Sequence, residues 1–319
     1  MIIVTGAAGF IGSAIIWGLN NRGYKDIIAV DELGVNEKWK NLINLSFTDY
    51  IEKADFLEEL SQGHFKNVEA VIHMGACSST QEFDASYLIK NNYEYTKSLA
   101  SYCVSKNIRF IYASSAATYG DGALGYSDES IAGLKPLNMY GYSKHLFDIW
   151  AEKNKILNSI TGLKFFNVFG PNEYHKEDMR SLVNKSFYKI KETGKMQLFK
   201  SYNPAYKDGQ QKRDFLYIKD AVRMVLFLLD KPKACGIYNI GTGNASTWND
   251  LANAIFKAMS LKPQIEYVNM PDVLKDKYQY FTQADMKKFM ALGYKEKFFS
   301  LEEAVFDYVI GYLAKGQYL

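Results

Sequence analysis

Short apolar runs alternate with segments of helical periodicity along the first half of the chain. The first run covers residues 1–5 and is rich in β-branched residues, and Ile15, Ile16 and Leu19 then fall on one helical face. The same pattern predicts further buried strands at 26–31, 69–76, 109–114 and 163–168, and helices over 82–105 and near 140–157. Repeated strand–helix–strand units predict an α/β fold with a doubly wound parallel sheet, whose ligands bind at the carboxyl ends of the strands.

A glycine-rich turn joins the first predicted strand to the first predicted helix. Gly6, Gly9 and Gly12 are spaced as G-x-x-G-x-x-G. Glycines let the backbone turn sharply and approach a pyrophosphate, whose charge then rests on the helix N-terminus. The turn therefore predicts a dinucleotide-binding, Rossmann-type domain.

Two acidic and two basic residues bear on the choice of dinucleotide. Asp31 ends the second strand, nineteen residues after Gly12, where a carboxylate can accept hydrogen bonds from the adenosine ribose. Asp31 and Glu32 favour NAD because carboxylates repel a 2′-phosphate, whereas Lys38 and Lys53 can compensate that repulsion. These residues leave NAD and NADP both open.

The regularity of the pattern weakens after residue 170. Mixed helical and short strand patterns follow, with long loops such as 200–211. We predict a dinucleotide-binding domain over 1–170, to which some later segments return, and a smaller C-terminal α/β domain over 171–319 that mainly binds substrate.

Candidate catalytic residues follow two of the later strands. Tyr140 and Lys144 are four residues apart and share one helical face. A nearby ammonium group favours the phenolate, so we expect Lys144 to lower the pKa of Tyr140. The segment 114–120 ends a strand and offers the Ser115 hydroxyl to orient a substrate oxygen.

The composition is that of an ordinary soluble protein and excludes several other classes. Hydrophobic residues make up 48% of the 319 residues, and the net charge of +3 is too small for a nucleic-acid partner. The cysteines at 77, 103 and 235 predict neither a disulfide framework nor a zinc site, and the four histidines form no metal-ligand cluster. Residues 1–5 form a strand rather than a leader and no run spans a bilayer, so we expect a cytoplasmic protein without a membrane partner.

The order of the motifs resembles the extended short-chain dehydrogenases/reductases, in the branch of nucleotide-sugar epimerases and dehydratases. These motifs are TGAAGFIG, HMGACSST, SSAATYG, YGYSK, FFNVFGP, RDFLYIKD and GIYNIGTG. Within that branch the chain is most similar to the epimerases that act on C6 of an ADP-linked heptose. The marks of that group are the segments 76–80, 136–144 and 278–285 and the pair His175-Lys176.

The resemblance implies a role for each matching residue. It makes Tyr140 and Lys176 the two acid/base residues, assisted by Lys144 and Ser115. The implied cofactor-binding residues are Gly6, Gly9, Phe10, Ile11, Gly12, Asp31, Glu32, Lys38, Lys53, Gly75, Ala76, Cys77, Ser78, Ser79, Asn92, Tyr140, Lys144, Val168 and Lys176. The implied substrate-binding residues are Asn167, His175, Asp178, Lys185, Phe199, Lys200, Ser201, Arg213 and Tyr278.

The resemblance also implies an activity, a cofactor and an assembly. It implies an isomerase that inverts C6 of the heptose through a transient 6-keto intermediate, in the supply of lipopolysaccharide core precursors. The cofactor is NADP, held tightly and not consumed, with NAD as the other possibility. The substrate is a small ADP-sugar, and the assembly is a homo-oligomer, which the family suggests is a pentamer.

Three alternatives stay open at this stage. A 4,6-dehydratase needs a carboxylate where Ala116 and Ala117 stand, and a 4-epimerase does not need Lys176. A non-catalytic cofactor-binding regulator has no use for Ser115, Tyr140 and Lys144 together. The chain also departs from the family pattern, because Lys164 stands where related enzymes often carry Arg and Asp178 where a small hydroxyl residue is expected.

Overall fold

The structure, a computed structural model, describes residues 1–275 and 278–319. Its strands are β1 (Ile2–Thr5), β2 (Ile27–Asp31), β3 (Asp49–Glu52), β4 (Ala70–His73), β5 (Arg109–Ser115), β6 (Ile160–Phe165), β7 (Asn167–Phe169), β8 (Met196–Phe199), β9 (Lys212–Tyr217), β10 (Gly236–Ile240), β11 (Ala245–Thr247) and β12 (Ile265–Val268). Its helices are α1 (Phe10–Asn21), α2 (Lys53–Ser61), α3 (Ala85–Leu88), α4 (Tyr95–Ser105), α5 (Met139–Lys153), α6 (Leu182–Thr193), α7 (Ile218–Leu229), α8 (Trp248–Ala258), α9 (Asp272–Lys275), α10 (Lys287–Met290) and α11 (Leu301–Gly311).

A large parallel sheet organises the first half of the chain. Its strand order is β10-β6-β5-β4-β1-β2-β3, and every neighbouring pair is parallel. The order reverses between β1 and β4, which is the point where such sheets bind ligands at the carboxyl ends of their strands. The predicted doubly wound parallel sheet is confirmed.

Alternate residues of the strands supply the cores on the two faces of the sheet. Ile2 and Val4 pack with buried residues of α1 and α7, whereas Ile3 and Val71 pack with those of α2, α4 and α5. Both faces are covered, so the strands read as continuous apolar runs in the sequence.

The edge of the sheet was harder to predict than its centre. The strand β3, at Asp49–Glu52, is only half-buried and polar, and therefore carries no apolar run. The predicted strand over 163–168 divides at Phe166. Its first part is β6, whereas Asn167–Phe169 turns away and pairs with β9.

The second half of the chain forms two smaller sheets and contributes one strand, β10, to the large sheet. The strands β7, β9 and β11 form one sheet, and β8 and β12 form another. The strand β10 rejoins the large sheet beside β6. The predicted boundary near residue 170 stays a prediction.

The three cysteines are free thiols. The Cys103 side chain is fully buried in α4, Cys77 and Cys235 are partly buried, and all three are unpaired. Over residues 1–275 and 278–319, no helix combines the length and the apolar character that a bilayer crossing requires.

Contact between α1 and α7 depends on Gly18, and this generates a stability prediction. A Cβ at Gly18 would overlap Cγ1 of the buried Val222 and would lie 3.0 Å from Leu226 Cδ1. We expect Gly18→Ala to lower the free energy of unfolding by about 1–3 kcal/mol through overpacking. Alanine is the better helix former by about 1 kcal/mol, so a net loss cannot come from helix propensity and understates the cost of the contact. Urea unfolding measures it.

The matched control is Gly311→Ala at the end of α11. A Cβ there would meet Asp307 Oδ1 at an ordinary 3.5 Å, so this variant should be as stable as the parent or more so. Equal stabilisation by both substitutions would show that α1 and α7 are not packed through Gly18.

Candidate active site

The glycine turn forms a close backbone cradle where β1 ends. Gly6 has a φ of +67°, and a Cβ there would lie 2.6 Å from the amide nitrogen of Gly75. A Cβ at Gly12 would overlap the carbonyl oxygen of Gly6. Gly9 is the N-cap of α1 and supplies no capping side chain. The turn thus leaves an uncapped helix N-terminus beside a backbone that only glycine permits, which suits a phosphate group.

The Asp31 carboxylate holds this turn in place by hydrogen bonds to its backbone. Its Oδ2 accepts hydrogen bonds from the amide nitrogens of Ala8 at 2.8 Å and Gly9 at 3.2 Å. Its Oδ1 accepts from the amide nitrogen of Glu32 at 2.7 Å and from Lys38 Nζ at 2.8 Å. Both carboxylate oxygens therefore already have protein partners. Asp31 nevertheless lines the pocket where we expected it to meet a ribose.

Lys53 pairs with the second acid. Its Nζ lies 3.2 Å from Glu32 Oε2 and also donates to Asn91 Oδ1. Each acid beside the ribose position thus faces one lysine, Lys38 with Asp31 and Lys53 with Glu32. These pairs border a pocket of about 290 Å³ that also reaches Ala76 and Cys77.

Asn92 holds the segment that follows β4. It is fully buried, accepts a hydrogen bond from the amide nitrogen of Cys77 at 2.9 Å and donates to the Cys77 carbonyl at 2.9 Å. It also bonds Ser143 Oγ in α5 at 3.0 Å. A π-helical turn over Ile89–Glu94, between α3 and α4, turns Asn92 inward. The structure places Asn92 behind the predicted cofactor-lining segment 75–79, where it supports that segment.

Tyr140 and its predicted assistant Lys144 lie in the first two turns of α5. Asn138 caps this helix by accepting from the amide nitrogen of Gly141 at 2.8 Å. Lys144 is buried and its Nζ donates to the carbonyl of Ala113 at 2.9 Å. Burial lowers the pKa of Lys144 to about 8.

The Tyr140 phenol has Ser115 as its hydrogen-bonding neighbour. Burial raises the pKa of Tyr140 above its ordinary value, and the hydrogen bond with Ser115 acts in the opposite direction. The expected lowering of this pKa by Lys144 is not what the protein residues produce, since desolvation of the phenol dominates. Ser115 also accepts from the amide nitrogen of Ala117 at 3.1 Å, which fixes its rotamer.

Lys176 reaches the same cleft from the second half of the chain. It lies in a 3₁₀ turn over Tyr174–Met179, with its Nζ 5.2 Å from the centroid of the Phe10 ring. Burial lowers the pKa of Lys176, while the nearby Glu173 carboxylate acts against that change. A cleft of about 340 Å³ is lined by Lys176, Tyr140 and Ser115 together with the three glycines of the turn.

His175, a predicted substrate residue, lines this cleft and does not line the larger cavity beside it. Its Nδ1 is 3.2 Å from Asn41 Nδ2. Burial and the charge of Lys176 lower the pKa of His175 to about 4, so the imidazole is neutral at pH 7.

A larger cavity of about 660 Å³ opens beside the cleft and shares Phe166, Val168 and Lys176 with it. The predicted substrate residues that line it are Asn167, Lys185, Phe199 and Tyr278. The predicted substrate residues Asp178, Lys200 and Ser201 lie outside its lining: Ser201 bonds Asp208 and Asn203 at the start of the 200–211 loop. The pocket at Lys53, the cleft and this cavity therefore follow one another along a single groove.

Arg213 lies behind the wall of the large cavity. It is 6% exposed, and its guanidinium carbon lies 5.6 Å from the Trp248 ring and 5.1 Å from the Tyr278 ring. The adjacent Asp214 carboxylate accepts from Thr242 and Gly243 instead. A structural ion pair between Arg213 and Asp214 is therefore not formed, and Arg213 is a buried cation next to two rings that line the cavity.

Sequence reasoning missed several residues of the site, among them Arg180, Trp248 and Asn41. Arg180 and Trp248 line the large cavity, and Asn41 contacts the glycine turn. Nothing local distinguishes Trp248 or Asn41, because their roles depend on contacts across the fold. Over residues 1–275 and 278–319, no group of three or more His, Cys, Asp or Glu side chains has the arrangement of a metal site.

The chain is similar over nearly its whole length to epimerases from other bacteria. An ADP-L-glycero-D-manno-heptose-6-epimerase of Nitratidesulfovibrio vulgaris (strain DP4) is 52% identical over 317 residues, which cover 98% of each chain. An enzyme of the same name from Fusobacterium nucleatum is 50% identical over 327 aligned residues, covering 99% of this chain and 98% of that one. The crystal structure of ADP-L-glycero-D-manno-heptose-6-epimerase from Helicobacter pylori matches with a TM-score of 0.80 and 26% identity, over 97% of this chain and 95% of that one.

The family itself is also matched directly. The model of the NAD dependent epimerase/dehydratase family covers residues 2–241, which include the glycine turn, Tyr140, Lys144 and Lys176. Because that match spans most of the chain and the relatives align over nearly all of it, the chain belongs to the NAD dependent epimerase/dehydratase family.

Proposed function

We propose that this protein is an isomerase that inverts C6 of the heptose in ADP-D-glycero-D-manno-heptose to give ADP-L-glycero-D-manno-heptose. The observation that carries this proposal is that Tyr140 and Lys176, which come from different halves of the chain, line one cleft. Two candidate acid/base groups in one cleft suit a reaction at a centre that must be approached from two faces. The names of the relatives at 50–52% identity support the same substrate.

The residues present fit a nicotinamide dinucleotide. The glycine cradle at Gly6 and Gly12 leaves room that a Cβ would fill, and α1 presents an uncapped N-terminus to it. Lys38 and Lys53 would hold the adenosine end, and the segment 75–79 with Tyr140 and Lys144 would border the remainder. When bound, the cofactor supplies reversible transfer of a hydride to and from a substrate carbon.

Redox chemistry of this kind suits C6 of the heptose. C6 is a carbinol carbon whose hydrogen is not acidic, so direct deprotonation cannot invert it. Oxidation to a ketone and re-reduction on the opposite face inverts the centre without net consumption of a reductant. The C6 hydroxyl must lose its proton in the first half of the reaction and regain one in the second.

Tyr140 handles the proton in one orientation of the substrate. Its phenol is poised beside the Ser115 hydroxyl, which orients the C6 oxygen. The Lys144 ammonium is fixed on the Ala113 carbonyl one helical turn away. A positive charge there favours the phenolate and so opposes the effect of burial on the pKa of Tyr140.

Lys176 handles the proton in the other orientation. After the C6 end turns over, its oxygen lies away from Tyr140, and a single group serves both positions poorly. Burial already lowers the pKa of Lys176, which makes the neutral amine easier to reach. Its place between the cleft and the large cavity puts it beside both the cofactor and the sugar positions.

The ADP moiety fits the large cavity. Trp248, Phe215 and Phe199 supply an apolar and aromatic wall for a base. Lys185 and Arg180 lie on the same wall, and Arg213 stacks behind Trp248 and Tyr278. Lys185 and Arg180, which line the cavity, suit the diphosphate, because cationic side chains bind phosphate oxygens and a guanidinium group binds them in pairs.

The direct test is incubation with ADP-D-glycero-D-manno-heptose, followed by chromatography that separates the two C6 epimers. Formation of the L-glycero epimer until both epimers are at equilibrium is the expected result. Conversion of a UDP-hexose at C4, with no change in the ADP-heptose, would instead identify a 4-epimerase.

The first prediction concerns the cofactor. We expect the protein to purify with NADP bound, since a redox-neutral reaction never has to release it. Lys38 and Lys53 neutralise Asp31 and Glu32, so a 2′-phosphate meets paired rather than free carboxylates. Denaturation and chromatographic identification of the released nucleotide measure this directly.

A variant of Lys53 sharpens the test. Lys53→Met leaves Glu32 unpaired and should reduce the bound NADP more than the affinity for added NAD. Lys40→Met is the control, because Lys40 lies in the same 3₁₀ turn as Lys38 but pairs with Glu37. Recovery of NAD alone from the parent protein would contradict the prediction.

The second prediction concerns the two acid/base residues. Tyr140→Phe and Lys176→Met should each reduce the rate of epimerisation by about 10²–10⁴-fold, because each removes one proton transfer. The fold and the bound nucleotide should be retained, as measured by circular dichroism and nucleotide release. The epimerisation rate comes from the chromatographic assay.

The controls are substitutions of the same type on exposed side chains. Tyr142→Phe changes an exposed tyrosine of α5, and Lys191→Met changes an exposed lysine of α6. Both variants should epimerise the substrate at the parental rate. An analogue shortened to an aldehyde at C6 should still be partly oxidised or reduced by one of the two active-site variants. A Lys176→Met enzyme with the parental rate would leave Tyr140 as the group that serves both faces.

A further inference from the structure

Asn41 is a buried amide that touches both halves of the active site. It lies in a 3₁₀ turn over Glu37–Leu42 and is 1% exposed. Its Nδ2 lies 2.9 Å from the carbonyl oxygen of Ala8 and 3.0 Å from that of Asn172. An amide NH₂ has two hydrogens, and these two carbonyls use both of them.

The two carbonyls belong to the two parts of the site that must be held together. Ala8 is part of the glycine turn, between Gly6 and Gly9. Asn172 begins the segment that leads through His175 to Lys176, and His175 Nδ1 itself lies 3.2 Å from Asn41 Nδ2. Asn41 therefore bridges the cofactor cradle and the lysine segment by direct hydrogen bonds.

The lysine segment depends on such tethers for its shape. Asn172 has a φ of +75° and Glu177 a φ of +47°, so a residue in the left-handed region bounds the segment at each end. The buried Glu173, the second residue of the segment, accepts hydrogen bonds at 2.6 Å from N and Oγ of Ser181, which lies beyond the far end of the segment. Near its start, Asn172 Nδ2 donates to Ser13 Oγ in α1 at 2.9 Å.

Stability alone does not explain an amide at position 41. Its Oδ1 is buried and has no hydrogen-bond partner among the residues that the structure describes. An unpaired buried acceptor costs free energy, which a smaller or apolar side chain would avoid. The two donated hydrogen bonds are therefore the feature that requires asparagine here.

We propose that Asn41 is a positioning residue that fixes Lys176 against Phe10 by tying the lysine segment to the glycine turn. The inference rests on the proposed function insofar as Lys176 acts on the substrate, but the placement of the amine is a property of the chain alone. The Lys176 Nζ lies 5.2 Å from the Phe10 ring centroid, and Phe10 directly follows the turn that Asn41 holds. Releasing Asn172 from the turn frees the lysine to move away from that ring into water.

The groups around Lys176 determine how its pKa would change if the side chain moved. Glu173 and His175 face it from its own segment, Tyr140 lines the same cleft, and Arg180 and Lys185 line the adjoining cavity. Burial is the largest influence on its pKa and lowers it. A lysine that moves into solvent regains its hydration, so its pKa rises toward the ordinary value.

The experiment is competitive labelling of Lys176 with acetic anhydride as a function of pH, read by mass spectrometry of the digested protein. Only the neutral amine reacts, so the midpoint of labelling reports the protonation of Lys176 without any turnover. The parent is compared with Asn41→Ala and with Asn41→Asp, whose carboxylate keeps the size but cannot donate. If Asn41→Ala does not fold, Asn41→Ser takes its place.

We expect the midpoint of Lys176 labelling to move to higher pH in the Asn41 variants. Turnover should fall about tenfold or more, with a smaller change in KM, because a misplaced group loses rate before it loses binding. The matched control is Asn239→Ala, which removes another fully buried amide that donates to two backbone carbonyls, those of Tyr126 and Asp285. This control should lose stability but leave the Lys176 midpoint in place.

Two results would overturn the proposal. One is an unchanged Lys176 midpoint in folded Asn41 variants, and the other is an equal shift in Asn239→Ala. Absence of epimerisation by the parent protein would count against the proposed function only, because the labelling measures the amine whether or not the substrate is the right one.

Discussion

The whole site depends on the close approach of two backbones where β1 and β4 end. Gly6 passes so near Gly75 that a Cβ would lie 2.6 Å from the Gly75 amide nitrogen. The reversal of strand order at this point opens the crevice, and the missing side chains let a ligand reach the end of α1. The candidate acid/base residues are placed relative to this crevice: Tyr140 by α5, Ser115 by β5, and Lys176 by the segment tied to the turn through Asn41.

Buried polar side chains, rather than apolar packing, fix these relative positions. Asp31 holds the turn, Asn92 holds the segment after β4 and links it to α5, and Asn41 links the turn to the lysine segment. A hydrogen bond specifies direction as well as contact, whereas apolar packing tolerates exchange of similar shapes. The site is therefore built by a chain of directed contacts that crosses from one half of the protein to the other.

The parts of this arrangement that could be predicted from the sequence are those that depend on residues close together in the chain. The turn at Gly6–Gly12 and the pair Tyr140 and Lys144 each have a local spacing with a physical meaning, and the buried strands each show as an apolar run. What could not be predicted is which way a polar side chain faces once the chain has folded. Asn92 supports its segment from behind, and Arg213 stacks behind Trp248 and Tyr278 instead of pairing with Asp214. These outcomes depend on contacts between residues that are distant in the sequence.

The buried Lys144 ammonium group lowers the stability of the folded protein. Lys144 has an ordinary pKa of 10.5 in an unfolded chain and one of about 8 in the folded protein. A difference of this size destabilises the folded state by about 3 kcal/mol wherever both forms are protonated, below roughly pH 8. Stability is regained as the pH rises from 8 toward 10.5, since the unfolded chain then holds the proton that the folded one has lost. At neutral pH the protein thus keeps a buried ammonium group that weakens its fold. The role proposed for this charge is chemical, because an ammonium group one helical turn from Tyr140 favours the phenolate.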